Sequence, residues 1–161
     1  MILIIDAAPY GIKKHRALIK TLCKQLEFEE PTIKGAGVLK TARTVIHDCG
    51  VVNEPLLVIS EVLIERDGKQ VSLRPFLKQL WNGSVEAVPA LPTVLPIIVY
   101  ASDPKLGKVP PRPPNAIINK NTSVGEEPHK LLLGALREGL IELHRAGQQA
   151  AGNYGSQLYG N

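Results

Sequence analysis

The chain has 161 residues, of which 44% are hydrophobic and 21% charged, a composition typical of one globular domain with a full core. Its formal net charge of +4 is too small to indicate nucleic-acid binding by itself. No run of about 18 apolar residues occurs, so we predict no membrane span. Cys23 and Cys49 lack a short Cys-x-x-Cys spacing, which predicts reduced thiols, no metal site and a cytoplasmic protein.

The first half of the chain alternates short apolar runs with segments of helical periodicity. In the first helical segment, Ile12, Ile19 and Leu22 recur at the spacing of one helix face, and Pro9 precedes them as expected at a helix start. The predicted elements are, in chain order, a strand at 1–5, a helix at 11–26, a weak strand at 31–34, a helix at 38–49 and a strand at 56–60.

The second half continues this alternation but contains one irregular segment. The sequence Arg66-Asp67-Gly68-Lys69 predicts a turn, and the prolines between residues 103 and 115 disfavour a helix there. The predicted elements are a helix at 73–81, a strand at 95–100, a strand at 116–119 and a helix at 128–144. Residues 146–161 are rich in Gly, Gln, Asn and Ala, which predicts a flexible tail.

Strands that alternate with helices favour a parallel sheet with helices on both faces. We therefore predict an α/β domain over residues 1–145 with a five-stranded parallel sheet in the flavodoxin-like order 2-1-3-4-5. The fourth helix is expected to be lost or replaced by the Pro-rich segment. In such sheets functional groups lie at the carboxyl ends of the strands, where this chain places Asp6, Glu61, Tyr100, Asp103 and Lys120.

The order and spacing of these residues resemble the receiver domain of response regulators over residues 1–145. In that family, strand one ends in a pair of acids that hold Mg²⁺, and strand three ends in the phosphoacceptor Asp. Strand four ends in Thr or Ser, and strand five in a Lys. The resemblance places Asp6 in the acid pair, Glu61 at the acceptor position, Tyr100 at the hydroxyl position and Lys120 at the lysine position.

Two departures from the family pattern predict that the pocket is degenerate. The second acid of the pair is Ala7, which removes a metal ligand. Glu61 has one more methylene than Asp, which moves its carboxylate by roughly 1.5 Å. We therefore expect no phosphoryl transfer, no catalytic residue, no metal and no cofactor. Glu61 is interpreted either as an exposed acid without a role or as a permanent ion pair with Lys120, and Tyr100 either as a filler of the emptied pocket or as a fixed signalling state.

This interpretation predicts a non-catalytic pseudo-receiver that regulates by phosphorylation-independent protein–protein interaction. Two alternatives stay open: a Mg²⁺-dependent nuclease resembling PIN domains, with Asp6, Glu61 and Asp103 as its acids, and a flavodoxin-like nucleotide-binding protein. The partner is expected to be a protein, and a homo-oligomer is left open. Residues 109–114 are interpreted either as a rigid loop at the end of the sheet or as a polyproline II stretch that binds an aromatic groove. The candidate partner-binding residues are the basic side of the first helix, Lys13, Arg16, Lys20 and Lys24, and the apolar residues of the tail, Tyr154, Leu158 and Tyr159.

Overall fold

A computed structural model of the chain describes residues 1–66, 69–83, 91–92, 95–109, 115–121 and 127–158, without the side chains of 65–66 and 152–158. The chain alternates strands with helices and includes one additional hairpin. The strands are β1 (Ile2–Ile5), β2 (Ile33–Ala36), β3 (Leu57–Ser60), β4 (Leu63–Arg66), β5 (Lys69–Ser72), β6 (Ile97–Ala101) and β7 (Ala116–Asn119). The helices are α1 (Pro9–Gln25), α2 (Leu39–Val51), α3 (Arg74–Trp81) and α4 (Pro128–Leu158).

Five of the strands form one sheet in the order β2-β1-β3-β6-β7, and every pair in it is parallel. The predicted α/β architecture with a five-stranded parallel sheet flanked by helices is confirmed. Its strand order is compatible with a flavodoxin-like fold. Because all five strands are parallel, their carboxyl ends lie at one edge, where Ile5 is level with Ala36 of β2 and with Ser60 of β3.

Two apolar cores lie on opposite faces of the sheet. Successive side chains of a strand point to opposite faces, so Leu3 and Ile5 belong to one core and Ile2 and Ile4 to the other. The first core is closed by α2, α3 and the hairpin, and the second by α1 and α4. Full burial of one such aliphatic side chain contributes about 1.5–3 kcal/mol. Because both faces of the sheet bury such side chains, the sheet is stable between the two layers that cover it.

The hairpin of β4 and β5 is absent from the sequence prediction. The two strands pair antiparallel, with Ile64 opposite Val71, and Ile64 is buried in the first core. The sequence contained the signal for it, because Asp-Gly between two short strand-like runs is a strong hairpin indicator. The Asp67-Gly68 dipeptide itself lies outside the described residues.

Most element boundaries lie within two residues of the prediction, and two of the differences have a clear physical reason. β2 lies two residues later than expected, because the parallel register with β1 aligns Ile33 with Ile2 and buries Ala36. The last helix continues to Leu158, through much of the segment that composition predicted as a flexible tail. Ala and Gln residues in this stretch are good helix formers, and burial of Ala146 docks the extension on the domain.

Between β6 and β7 the described residues, 102–109 and 115, contain no helix. The expected replacement of a fourth helix by the Pro-rich segment falls mainly on residues 110–114, which lie outside the described residues. Most of the proposed polyproline II stretch, with Pro110, Pro111, Pro113 and Pro114, lies outside the described residues, as does Tyr159.

Candidate functional site

The main chain carries three candidate side chains to one edge of the sheet. The backbone hydrogen-bond ladder continues one residue past three strands: Asp6 N–H donates to Ala36 O at 3.1 Å, Glu61 N–H to Ile5 O at 2.9 Å, and Lys120 N–H to Ala101 O at 2.9 Å. Each candidate residue is therefore held by the strand that precedes it and by a neighbouring strand. This regular backbone gives Asp6, Glu61 and Lys120 defined positions.

Glu61 and Lys120 form an ion pair between Oε1 and Nζ. β3 and β7 are separated by β6, so the two backbones are about two strand spacings apart, roughly 10 Å. The long side chains of Glu and Lys can close that gap over β6. Both side chains are largely shielded from solvent, with exposed fractions of 20% and 27%. Burial lowers the pKa of Lys120, and the Asp6 carboxylate opposes this shift.

Tyr100 lies beneath this ion pair on β6. The Lys120 Nζ is 4.9 Å from the centroid of the Tyr100 ring, a distance at which the ring face attracts an ammonium group. The half-buried ring packs on the core closed by α1 and α4. The structure therefore brings Glu61, Tyr100 and Lys120 together.

Asp6 is buried and faces the start of α1. Its Oδ1 accepts a hydrogen bond from Ala8 N–H at 2.8 Å, in the region where a helix N-terminus favours negative charge. A Cβ on Gly11 would lie 1.8 Å from Asp6 Oδ2, so the close approach of helix and carboxylate requires glycine there. The neighbouring Ala7 is exposed and adds no carboxylate.

His15 is a site residue that the sequence did not reveal. Its Nδ1 is 2.9 Å from Gly11 O and donates to it, because a carbonyl oxygen can only accept. Its ring meets Tyr100 edge to face, with centroids 5.9 Å apart. Only 5% of His15 is exposed, and Nε2 has no hydrogen-bond partner among the described residues. His15 is a single His in a helical segment of apolar and basic residues, and no motif in the sequence marks it as a functional residue.

The electrostatics of this pocket favour a neutral His15. Burial is the largest influence and lowers the pKa of His15, and the Lys120 and Lys14 cations lower it further. The hydrogen bond to Gly11 and the Asp6 carboxylate act in the opposite direction. A neutral ring that donates from Nδ1 presents an unprotonated Nε2 as a hydrogen-bond acceptor.

Asp103 engages a different partner. Its Oδ2 is 3.0 Å from a terminal nitrogen of Arg74, at the start of α3, and the same guanidinium also donates to the Asp103 and Lys105 carbonyls. Within the part of the chain that the structure describes, no three His, Cys, Asp or Glu side chains are grouped to hold a metal ion.

The basic side of α1 is partly engaged within the molecule. Arg16 donates to Ile33 O at 2.9 Å, and Lys20 pairs with Glu30 at 3.1 Å. Lys13 and Lys24 complete the predicted surface on exposed positions of the same helix. Tyr154 and Leu158 belong to α4, but their side chains are not among those described.

Comparisons of the chain with models of protein families, with curated proteins and with solved structures give no match. Among the described residues, no helix is both long enough and apolar enough to cross a membrane. The fold and the pocket geometry are therefore the basis for a functional interpretation.

Proposed function

We propose that this chain is a receiver-like, flavodoxin-like domain that acts by protein–protein interaction without phosphorylation. The observation that supports this proposal best is the ion pair between Glu61 and Lys120. In the resemblance to receivers these are the acceptor position and the lysine position. A permanent carboxylate–ammonium contact there imitates the charged state of the pocket, so no covalent modification is needed to reach it.

The acids of this pocket also support a function without phosphoryl transfer. Transfer to a carboxylate depends on Mg²⁺ to neutralise developing charge and on an acceptor at the correct reach. Asp6 is the one acid after β1, and Asp6 Oδ1 is bonded to the backbone of Ala8. Glu61 already neutralises Lys120. The domain is therefore proposed to act as a non-enzymatic interaction module in signalling or regulation.

The two alternatives have less support from the geometry. A nuclease site would need Asp103 beside Asp6 and Glu61, whereas Asp103 pairs with Arg74. A nucleotide-binding site of the flavodoxin-like kind would use a Gly-rich loop after β1, and residues 7–11 contain one glycine and a proline.

A gain-of-function experiment tests the proposal. The wild-type chain, Ala7→Asp, Glu61→Asp and the double variant are titrated with beryllofluoride and Mg²⁺ and followed by amide NMR. We expect no saturable shifts for the wild type and the two single variants, because each lacks a ligand or the acceptor. The double variant restores both, and we expect saturable shifts around Asp6 and position 61.

Two outcomes contradict the proposal. Saturable shifts in the wild type at these positions mean that the native pocket binds the phosphoryl mimic. A folded double variant that shows no response means that the strand ends lack receiver geometry.

A further inference from the structure

A second candidate binding site lies away from the pocket at the strand ends. A cleft of about 610 Å³ separates α2 from the β4–β5 hairpin. Aliphatic side chains from both elements line it, and the helix adds polar and basic ones. The lining residues are Val38, Leu39, Lys40, Arg43, Thr44, His47, Ile64 and Val71.

The basic residues of this cleft form a row. Lys40, Arg43 and His47 follow an i, i+3, i+7 pattern, which places them on one side of α2. At 1.5 Å of rise per residue, the row extends over roughly 10 Å. None of the described residues that line the cleft is acidic. His47 Nδ1 is 3.5 Å from its neighbour Asp48, at the end of the row.

Arg43 is the most informative member of this row. Its guanidinium lies over the Phe76 ring, 5.7 Å from the centroid, and its Nε is buried without a hydrogen-bond partner among the described residues. Neither Arg43 nor Lys40 forms an ion pair with a described acid. Arg43 is partly buried and Lys40 is exposed, so two positive charges without a described acidic partner face the cleft and favour an anionic ligand.

We infer that the cleft binds an acidic segment of a partner protein, in which carboxylates alternate with aliphatic side chains. A single small anion would contact one of these side chains, whereas an extended peptide segment of the partner can contact the whole row. The aliphatic walls and Val38, which is nearly half exposed, complement the apolar side chains of such a segment. This inference does not depend on the state of the Glu61–Lys120 pocket.

Fluorescence anisotropy with a labelled peptide that alternates glutamate with leucine tests the inference. We expect saturable binding to the full chain that weakens as salt is raised. Arg43→Met retains an unbranched apolar stem over Phe76, and Lys40→Met alters an exposed position. Each is expected to weaken binding roughly tenfold, the effect of losing one charge-assisted hydrogen bond. Lys130→Met, at an exposed position of α4 on the opposite face of the sheet, is the control and should leave the affinity unchanged.

Four results would decide against the inference. The inference is overturned if the wild type shows no saturable binding, or if Lys40→Met binds like the wild type. It is also overturned if a lysine–leucine peptide binds as tightly, which would indicate adhesion through the apolar side chains alone. Displacement of the acidic peptide by octanoate at equal affinity would assign the cleft to small amphiphilic anions instead. Circular dichroism of each variant separates lost binding from lost folding.

Discussion

At the scale of single residues, the pocket is organised around one cation. Lys120 contacts Glu61 on one side and the Tyr100 ring on another, and the Asp6 carboxylate acts on it electrostatically. A partly buried ammonium has lost much of its hydration, and these neighbours stabilise its charged state in place of water. The pocket therefore couples four strands, β1, β3, β6 and β7, and α1 through a small set of polar side chains.

Removal of either charge of the ion pair should destabilise the fold. We expect Glu61→Gln and Lys120→Met each to lower the free energy of unfolding by about 1–2 kcal/mol, between the values typical of exposed and of buried pairs. The double variant should lose less than the sum of the two, because it leaves no unpaired charge. Urea denaturation of the four proteins measures this coupling. Strict additivity of the two losses would mean that the contact contributes nothing.

His15 predicts a specific pH dependence of stability. Its folded-state pKa is lowered from 6.5, so the unfolded chain binds a proton at pH values where the folded chain leaves His15 neutral. The free energy of unfolding should therefore be highest above about pH 6.5 and fall as the pH is lowered, by less than about 1.4 kcal/mol per unit for one proton.

The matched variant for this prediction is His15→Asn, which places an amide N–H near the position of Nδ1–H and does not titrate. Its stability should change less between pH 7 and pH 5 than that of the wild type. Asp6, Lys14 and Lys120 surround the ring and remain in both proteins, so the difference isolates His15. Parallel pH profiles would assign the acid sensitivity to other groups.

At the scale of elements, α4 contains two glycines whose effects on stability depend on what each one packs against. Gly134 and Gly139 both lie inside this helix, where glycine is unfavourable by about 1 kcal/mol relative to alanine. A Cβ on Gly134 meets nothing within 4 Å, whereas a Cβ on Gly139 would lie 2.9 Å from a methyl carbon of the buried Leu57. The first glycine faces open space, and the second allows the helix to approach β3.

The two glycines should therefore respond oppositely to the same substitution. Gly134→Ala is expected to raise the free energy of unfolding by up to about 1 kcal/mol. Gly139→Ala is expected to lower it by about 1–2 kcal/mol, because the cost of overpacking the core exceeds the gain in helix propensity. Thermal and urea denaturation of the two variants provide the measurement. If Gly139→Ala raised the stability instead, Leu57 would have to make room for the new methyl group without a net loss of packing energy.

At the scale of the whole molecule, one sheet separates two cores and contributes side chains to both. Leu3 and Ile4 are adjacent in β1, fully buried, and belong to different cores. Trp81, the chain's one tryptophan, is buried in the core closed by α2 and α3. A loss of packing on either face of β1 should therefore weaken the same hydrogen-bonded strands, which both cores share.

This arrangement predicts a single cooperative unfolding transition. Leu3→Ala and Ile4→Ala should each cost about 2–5 kcal/mol, and in each variant Trp81 fluorescence and far-UV circular dichroism should report the same midpoint. Ile4→Ala is the decisive case, because its cavity lies on the face opposite Trp81. If its fluorescence midpoint stayed at the wild-type value while the dichroism midpoint fell, the two cores would unfold independently.

Local patterns in the sequence determined the main elements of the fold. Apolar runs of four to five residues predict buried strands, and helical spacing predicts the four helices, because both depend on which side chains must leave water. The positions of Asp6, Glu61 and Lys120 at strand ends follow from the same patterns, since parallel strands present their carboxyl ends at one edge. The Asp-Gly signal for the hairpin was also present, although β4 and β5 are too short for clear alternation.

Tertiary structure alone decided the features that depend on distances between elements. His15 reads as an ordinary helix residue until the fold places Tyr100 against its ring and leaves Nε2 without a described partner. The partner of Asp103 and the cleft beside Arg43 likewise arise where separate elements meet. A sequence encodes each side chain's chemistry and local periodicity. Which distant groups come within hydrogen-bonding reach depends on strand order and helix docking, and these are set by the packing of the whole core.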